Sequence, residues 1–245
     1  MSEPEFDVDG VFGDDYLYFF LERVEERSAA DVDLVWRLLE LEPGMEVLDL
    51  ACGHGRIANR LAARGCRVTG LDYTRVFLER ARADAAEQDL PVEYVHGDMR
   101  SLPWTGRFDR IVCWLNSFCL FDDEGIRRVL ASAAAALRPG GRLGMETANY
   151  PFLARNSQRA DVVDRDGDMV VDRQRLDPLT NRSVIDRTFV RGGRTRRSPF
   201  FIRLFTFPEL RDWLRGVGFG TVHGYGEDGA PLTAEHRRMI TLATL

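Results

Sequence analysis

The chain contains no lysine: all 33 of its basic residues are arginine. That excludes a Schiff-base lysine and a phosphate-loop lysine. No apolar run is long enough to span a bilayer, so no membrane partner is expected. The opening stretch, MSEPEFDVDG, is acidic and has no apolar signal core, so the expected location is cytoplasmic. Cys52, Cys66, Cys113 and Cys119 show neither C-x-x-C spacing nor clustered histidines. Buried free thiols are expected rather than a zinc site or a disulfide framework. An excess of positive charge is missing too. The formal net charge is −6, which argues against a nucleic-acid partner. The one basic run, Arg191 to Arg197, reads as a solvated hairpin.

What is present suits a single domain over 1–245, since 44% of the 245 residues are hydrophobic and can fill a core. Apolar spacing predicts helices over 14–27 and 31–41, the second stopped by Pro43-Gly44. Strand and helix patterns then alternate. MEVLDLA, CRVTGLD, VEYVHGD, FDRIVCWL and RLGMETAN read as strands. RIANRLAARG, TRVFLERARADAAEQ (with Thr74 as candidate cap) and DEGIRRVLASAAAALRPGG read as the helices between them. Repeated β–α units predict a doubly wound α/β fold, Rossmann-like, with a seven-stranded mainly parallel sheet. Residues 1–40 form an N-terminal helical cap, and 41–150 with 201–245 form the core. Residues 151–200 form a β-hairpin insertion after the fifth strand, turning at DRDGD and RGGR. A helix over 207–219 and strands at TVHGYGE and RRMITLATL close the chain.

The stretch Asp49-Leu-Ala-Cys-Gly-His-Gly-Arg56 carries the chemistry. Its glycines satisfy a dinucleotide pattern, but Asp49 ends the first strand just before them. A carboxylate there repels phosphates in a partly dry cleft. It suits a ligand with a positive group near the loop. S-adenosylmethionine has an ammonium, a sulfonium and no phosphate. Its carboxylate has backbone N–H groups or Arg56 to meet, and Gly53 and Gly55 allow close backbone approach. Asp72, followed by Tyr73, ends the second strand, where an acid accepts two ribose hydroxyls.

Four segments together carry a resemblance: the loop from Asp49 through Ala51, Cys52, Gly53 and Gly55; Asp72; Gly97-Asp98-Met99; and Leu137-Arg-Pro-Gly-Gly-Arg142. Over roughly residues 40–150 the chain resembles class I S-adenosylmethionine-dependent methyltransferases. The resemblance implies that Asp98 bonds the adenine amine and Met99 packs on the ring. It implies that Leu115 and Asn116 line the cleft, and that Tyr16 and Arg23 close over the methionine end. No metal is implied, because Asp122-Asp123-Glu124 reads better as a helix cap.

The acceptor is approached by elimination. The segment after the fourth strand, Asn116 to Phe121, lacks the proline pair of DNA-base and glutamine methyltransferases. The paired glutamates of arginine methyltransferases are not found. A small-molecule acceptor remains, within a pocket for which Tyr16, Tyr18, Phe118, Phe121, Tyr150, Phe152, Phe200, Phe201 and Phe205 are candidate walls. His223 and Tyr225 are weakly supported bases, and Arg203 pairs either an acceptor or a carboxylate of the fold. The layout is similar to actinobacterial natural-product enzymes, including N-methyltransferases of amino sugars and lincosamide-type antibiotics. With no strongly marked base, an amine nitrogen is favoured over a hydroxyl. A homo-oligomer is expected, with the insertion as a contact. The rivals are a nicotinamide oxidoreductase and a non-catalytic cofactor-binding module.

Overall fold

A computed structural model describes residues 7–156 and 160–245. Residues 1–6 of the expected cap and 157–159 of the insertion lie outside the described residues. The N-terminal segment forms α1 (Val8–Val11), α2 (Asp14–Glu25) and α3 (Ser28–Leu38). The alternating core follows as β1 (Glu46–Leu50), α4 (Ala58–Ala63), β2 (Arg67–Asp72), α5 (Arg75–Glu87), β3 (Glu93–His96) and β4 (Phe108–Cys113). A 3-10 turn (Ser117–Leu120) leads into α6 (Asp123–Ala136) and β5 (Leu137–Ala148).

The main sheet has seven strands in the order β3-β2-β1-β4-β5-β11-β10, where β10 is Thr221–Tyr225 and β11 is Arg238–Thr244. Strands β1 to β5 pair in parallel, and β11 inserts antiparallel between β5 and β10. The central strand β1 explains itself: Val47, Leu48 and Leu50 are at most 1% exposed, because helices cover both faces. Leu48, Leu50 and Ile111 pack with Leu130 and Leu210 on one face. Val47 and Val112 pack with Leu61 and Leu78 on the other. The chain winds outward from β1 through β2 and β3, then crosses to β4. The order therefore reverses between β1 and β4, and ligands bind at that crevice in open α/β sheets. Among the described residues, no helix is long and apolar enough to cross a membrane.

Helix α6 ends at Ala136 rather than at the expected Gly141. Leu137 is already extended, with ψ 148°, and Pro139 cannot continue a helix. Its start follows the capping logic, since the Asp122 carboxylate accepts the Gly125 N–H at 2.7 Å. Where hairpins were expected from residue 151, a helix α7 (Tyr150–Asn156) comes first. The insertion is then a four-stranded antiparallel sheet of β6 (Ala160–Arg165), β7 (Asp168–Asp177), β8 (Arg182–Arg191) and β9 (Arg194–Arg203). Its first and last turns fall at Asp166-Gly167 and Gly192-Gly193, all with positive φ, and the middle one lies between Asp177 and Arg182. Helix α8 (Phe207–Gly216) returns the chain to the main sheet.

One face of the insertion lies against α1 and α2. Phe19 stacks on Phe189 at 6.0 Å, and Phe12 meets Phe200 at 6.5 Å. Arg187 is held bidentate by Asp172 at 2.8 and 2.7 Å and lies over the rings of Phe20 and Phe200. Asp15 takes Arg191 at 3.0 Å and Arg196 at 2.6 Å. The absence of lysine suits these junctions, since a planar guanidinium can stack and bond bidentately at once.

Candidate active site

The loop after β1 opens a cleft of about 800 Å³ at the ends of β1, β2 and β4. Asp49 is buried, and its Oδ2 accepts the Ala58 N–H at 3.0 Å. Burial pushes its carboxyl up to about 7, against the pull of Arg56. Asp72 is buried as well, accepting the N–H of Gly53 and of Thr74 at 2.8 Å each. Burial raises its pKa despite those bonds. Each carboxylate oxygen has two acceptor sites, so both acids keep capacity for a ligand. Two acids facing one cleft make it a poor phosphate site and a good cation site.

The cleft brings together Asp49, Ala51, Cys52, Gly53 and Arg56 from the loop, with Asp72 and Tyr73 beyond β2. Gly97, Asp98, Met99, Leu115 and Tyr16 join them from three further segments. Asp98 is engaged by Arg100, whose Nη2 lies 2.6 Å from Oδ2, and this bond holds its carboxyl below the usual range. Arg100 in turn lies over the Phe121 ring at 4.7 Å.

Several expected site residues do not line this cleft, the wall candidates Tyr150, Phe152, Phe200, Phe201 and Phe205 among them. Gly55 serves packing: a Cβ there would meet the Tyr94 hydroxyl at 2.2 Å and Ala81 Cβ at 3.1 Å. Asn116 acts from behind, with Oδ1 accepting the Ala148 N–H at 2.6 Å and its own N–H bonding Glu146 O. It and Leu115 both have φ of 59°, a strained pair that turns Leu115 toward the cleft. Arg23 is 61% exposed and pairs with Asp161 of β6. Tyr18 lies under Arg165 and Arg191 of the insertion. Phe118 is fully buried, stacked on Phe205 at 6.2 Å. His223 is exposed on β10, at the edge of the sheet and far from the crevice. Arg203 binds Asp123 and Glu209, so it is a carboxylate partner within the fold.

The two loop glycines are separable by mutation. Gly53 has φ +56° and nothing closer than Phe77 at 3.9 Å to a new Cβ. Gly53→Ala is expected to cost about 1–2 kcal/mol of left-handed strain and to lose ligand binding. Gly55→Ala adds a clash with Tyr94 to that strain and is expected to unfold at a clearly lower temperature. Thermal unfolding and calorimetry with S-adenosylhomocysteine check both; equal stability losses would contradict the packing role of Gly55.

Other cleft residues carried no local signal. Phe12 and Phe77 line it, and Tyr16 touches both rings at 5.3 and 5.6 Å. Trp114 lines it too, and the expected Arg56 reaches from the cleft to a buried charge cluster. Asp31 accepts from Arg56 at 2.9 Å and Arg238 at 2.8 Å, with Arg27 at 3.5 Å. Glu146 faces Arg27 at 3.6 Å and Arg238 at 3.4 Å. Yet Arg27 Nη2, Arg56 Nη2 and Trp114 Nε1 are buried without a hydrogen bond. Buried donors left unmatched are costly; Arg56 and Trp114 line the cleft, where a ligand carboxylate would match them, whereas Arg27 faces Asp31 and Glu146. Arg27 follows α2 directly, but only its distance to Asp31 marks it. Among the described residues no cluster of His, Cys, Asp or Glu could hold a metal ion.

These features define a class, and comparison with known proteins agrees. Residues 47–141 match the family described as a methyltransferase domain. A ubiquinone biosynthesis O-methyltransferase of Coxiella burnetii is 34% identical over 112 residues, covering 45% of this chain and 47% of that one. The chain thus spans about half the length of the curated relatives it matches. Among solved structures, an S-adenosylmethionine-dependent methyltransferase from Clostridium acetobutylicum superposes with a TM-score of 0.79 at 18% identity, over 94% of this chain and 96% of that one. A sugar N-methyltransferase from Streptoalloteichus does so with a TM-score of 0.72 at 22% identity, over 93% and 92%. Residues 47–141 thus match a methyltransferase domain, and the chain shares the Rossmann-like fold of these solved structures.

Proposed function

We propose that the chain is an enzyme that transfers a methyl group from S-adenosylmethionine to an amine nitrogen of a small natural-product acceptor. The reading rests on one arrangement: the buried acids Asp49 and Asp72 and the unmatched N–H donors of Arg56 and Trp114 around a single cleft. Asp49 takes the ammonium, Arg56 the carboxylate, Asp72 the ribose hydroxyls, and Asp98 with Met99 the adenine. S-adenosylmethionine, when bound, supplies a methyl group on a sulfonium that is already a good leaving group. The chain contributes position and dryness. Phe12, Tyr16 and Phe77 wall off water on one side, and Leu115 narrows the other.

The absence of a poised base favours an amine. His54, the only imidazole among the described cleft residues, is tied to Glu25. Burial raises the Tyr16 phenol above its ordinary pKa, which makes it a poor proton acceptor at neutral pH. An amine can arrive unprotonated, whereas a hydroxyl usually needs help. Aromatic walls also suit an aminated ring. The test is a screen of small amines and alcohols with S-adenosylmethionine as donor, read by mass spectrometry. Amine products are expected. Methylation of hydroxyls alone would overturn the nitrogen assignment and support the chemistry in the name of the ubiquinone relative. Tight NAD binding without S-adenosylhomocysteine binding would overturn the whole reading.

A further inference from the structure

Helix α2 is fastened to the glycine loop at both of its ends. At its C-terminal end, Glu25 Oε1 accepts from His54 Nε2 at 3.1 Å, and Glu25 Oε2 accepts from Arg60 of α4 at 2.8 Å. His54 is the residue between the two loop glycines, and it is 6% exposed. Near its N-terminal end, Tyr16 meets Phe77 at 5.6 Å. Phe77 meets the edge of the His54 ring at 6.5 Å and stands 3.9 Å from where a Gly53 Cβ would be. Tyr16, Phe77, His54 and Glu25 thus form a closed circuit around the loop. The ten residues from Tyr16 to Glu25 span about 13 Å of helix axis, so α2 lies across the loop as a strap. Its outer side is held by the insertion through Asp15 and Glu22, which bind Arg191, Arg196 and Arg165.

We propose that His54 is a positioning residue: through Glu25 it latches α2 shut over the glycine loop, and a bound cofactor leaves only when that latch breaks. The inference rests on the methyltransferase reading for the identity of the cofactor, but the latch itself is a property of the protein alone. The link is charge-assisted, because the His54 bond and Arg60 hold the Glu25 carboxyl down to about 2. A lone contact of this kind would be a minor surface feature. Here it joins the strap that carries Tyr16 to the loop that approaches the ligand, so it sets both the exit path and the placement of Tyr16.

The test uses the full chain with S-adenosylhomocysteine as probe. Stopped-flow dissociation and amide hydrogen exchange are measured for wild type, His54→Phe, His54→Gln and Glu25→Ala. His54→Phe and Glu25→Ala are expected to release the probe about tenfold faster. Both are also expected to raise exchange in residues 14–25, even without probe. His54→Gln keeps a donor for Glu25 and is expected to restore both readouts. Unchanged release and exchange in Glu25→Ala would overturn the latch. So would a rise in exchange spread through β1 and β4, which would mark a general structural role. Failure of wild type to bind S-adenosylhomocysteine removes the cofactor reading instead; the ligand-free exchange result then decides whether α2 is latched at all.

Discussion

Affinity for S-adenosylhomocysteine is expected to rise with pH and to level off near pH 7. This follows from Asp49, whose carboxyl burial holds at about 7 in the free protein. A ligand ammonium beside it favours the charged form, so binding releases a proton. Below pH 7 the affinity is expected to climb by up to about tenfold per pH unit, the limit for one proton released. Above it, the carboxylate is already charged and the curve flattens. The sign is the reverse for folding without ligand. A carboxyl with a raised folded pKa stabilises the fold while protonated, and that contribution is lost as pH climbs from 3.8 through about 7. Glu25 works oppositely: its stabilisation is complete above 4.5 and is lost as pH falls toward about 2. Calorimetry on either side of pH 7, in buffers of different ionisation heat, measures both affinity and proton release. Asp49→Asn is expected to bind weakly with no pH dependence. A flat wild-type profile would remove Asp49 from the ammonium site.

The largest loss of stability is expected for Asp31→Ala, about 3–5 kcal/mol, the usual result of leaving buried charge unpaired. Asp31 is 1% exposed and holds Arg56 and Arg238 directly. Its arginines come from the glycine loop and the last strand, so one carboxylate joins the cap, the loop and the sheet. Without it, Glu146 alone faces Arg27 and Arg238, and Arg56 loses its direct ion pair. The midpoint of thermal unfolding is expected to fall by roughly 6–20 °C for a chain of this size. Asp31→Asn keeps hydrogen-bond acceptance without the charge and is expected to lose less. A drop of only a degree or two in Asp31→Ala would mean that water reaches the cluster. The Asp31 carboxyl is held low by its arginines against burial, so this stabilisation persists above pH 3.8 and fades below it.

The cofactor side of the cleft was legible because its signals are local. An apolar run followed by an acid and a glycine is a strand end and a turn, whatever surrounds it. Asp49, Asp72 and Asp98 all stand at or just past such ends, and parallel pairing brings the ends of β1, β2 and β3 to one edge. Tyr16 and Arg23 share a helical stripe, seven residues apart, and the resemblance implied a common role for them. The stripe continues past the cleft, so Arg23 meets Asp161 of the insertion. Tyr18, two residues from Tyr16, faces the other side of the same helix. Aromatic residues were the weakest guide. Phe118 and Phe77 look alike in sequence, yet one is core and the other wall.

The sequence alone determined the alternation of elements and the acid-then-glycine loop, because each depends on neighbours along the chain. Tertiary structure alone decided which residues share the cleft. Asp31 meets Arg238 across 207 positions, and Tyr16 meets Phe77 across the mouth of the loop. Such meetings are set by packing two sheets and a strap of helix around one core. A buried arginine and an exposed one are the same letter until the fold desolvates one of them.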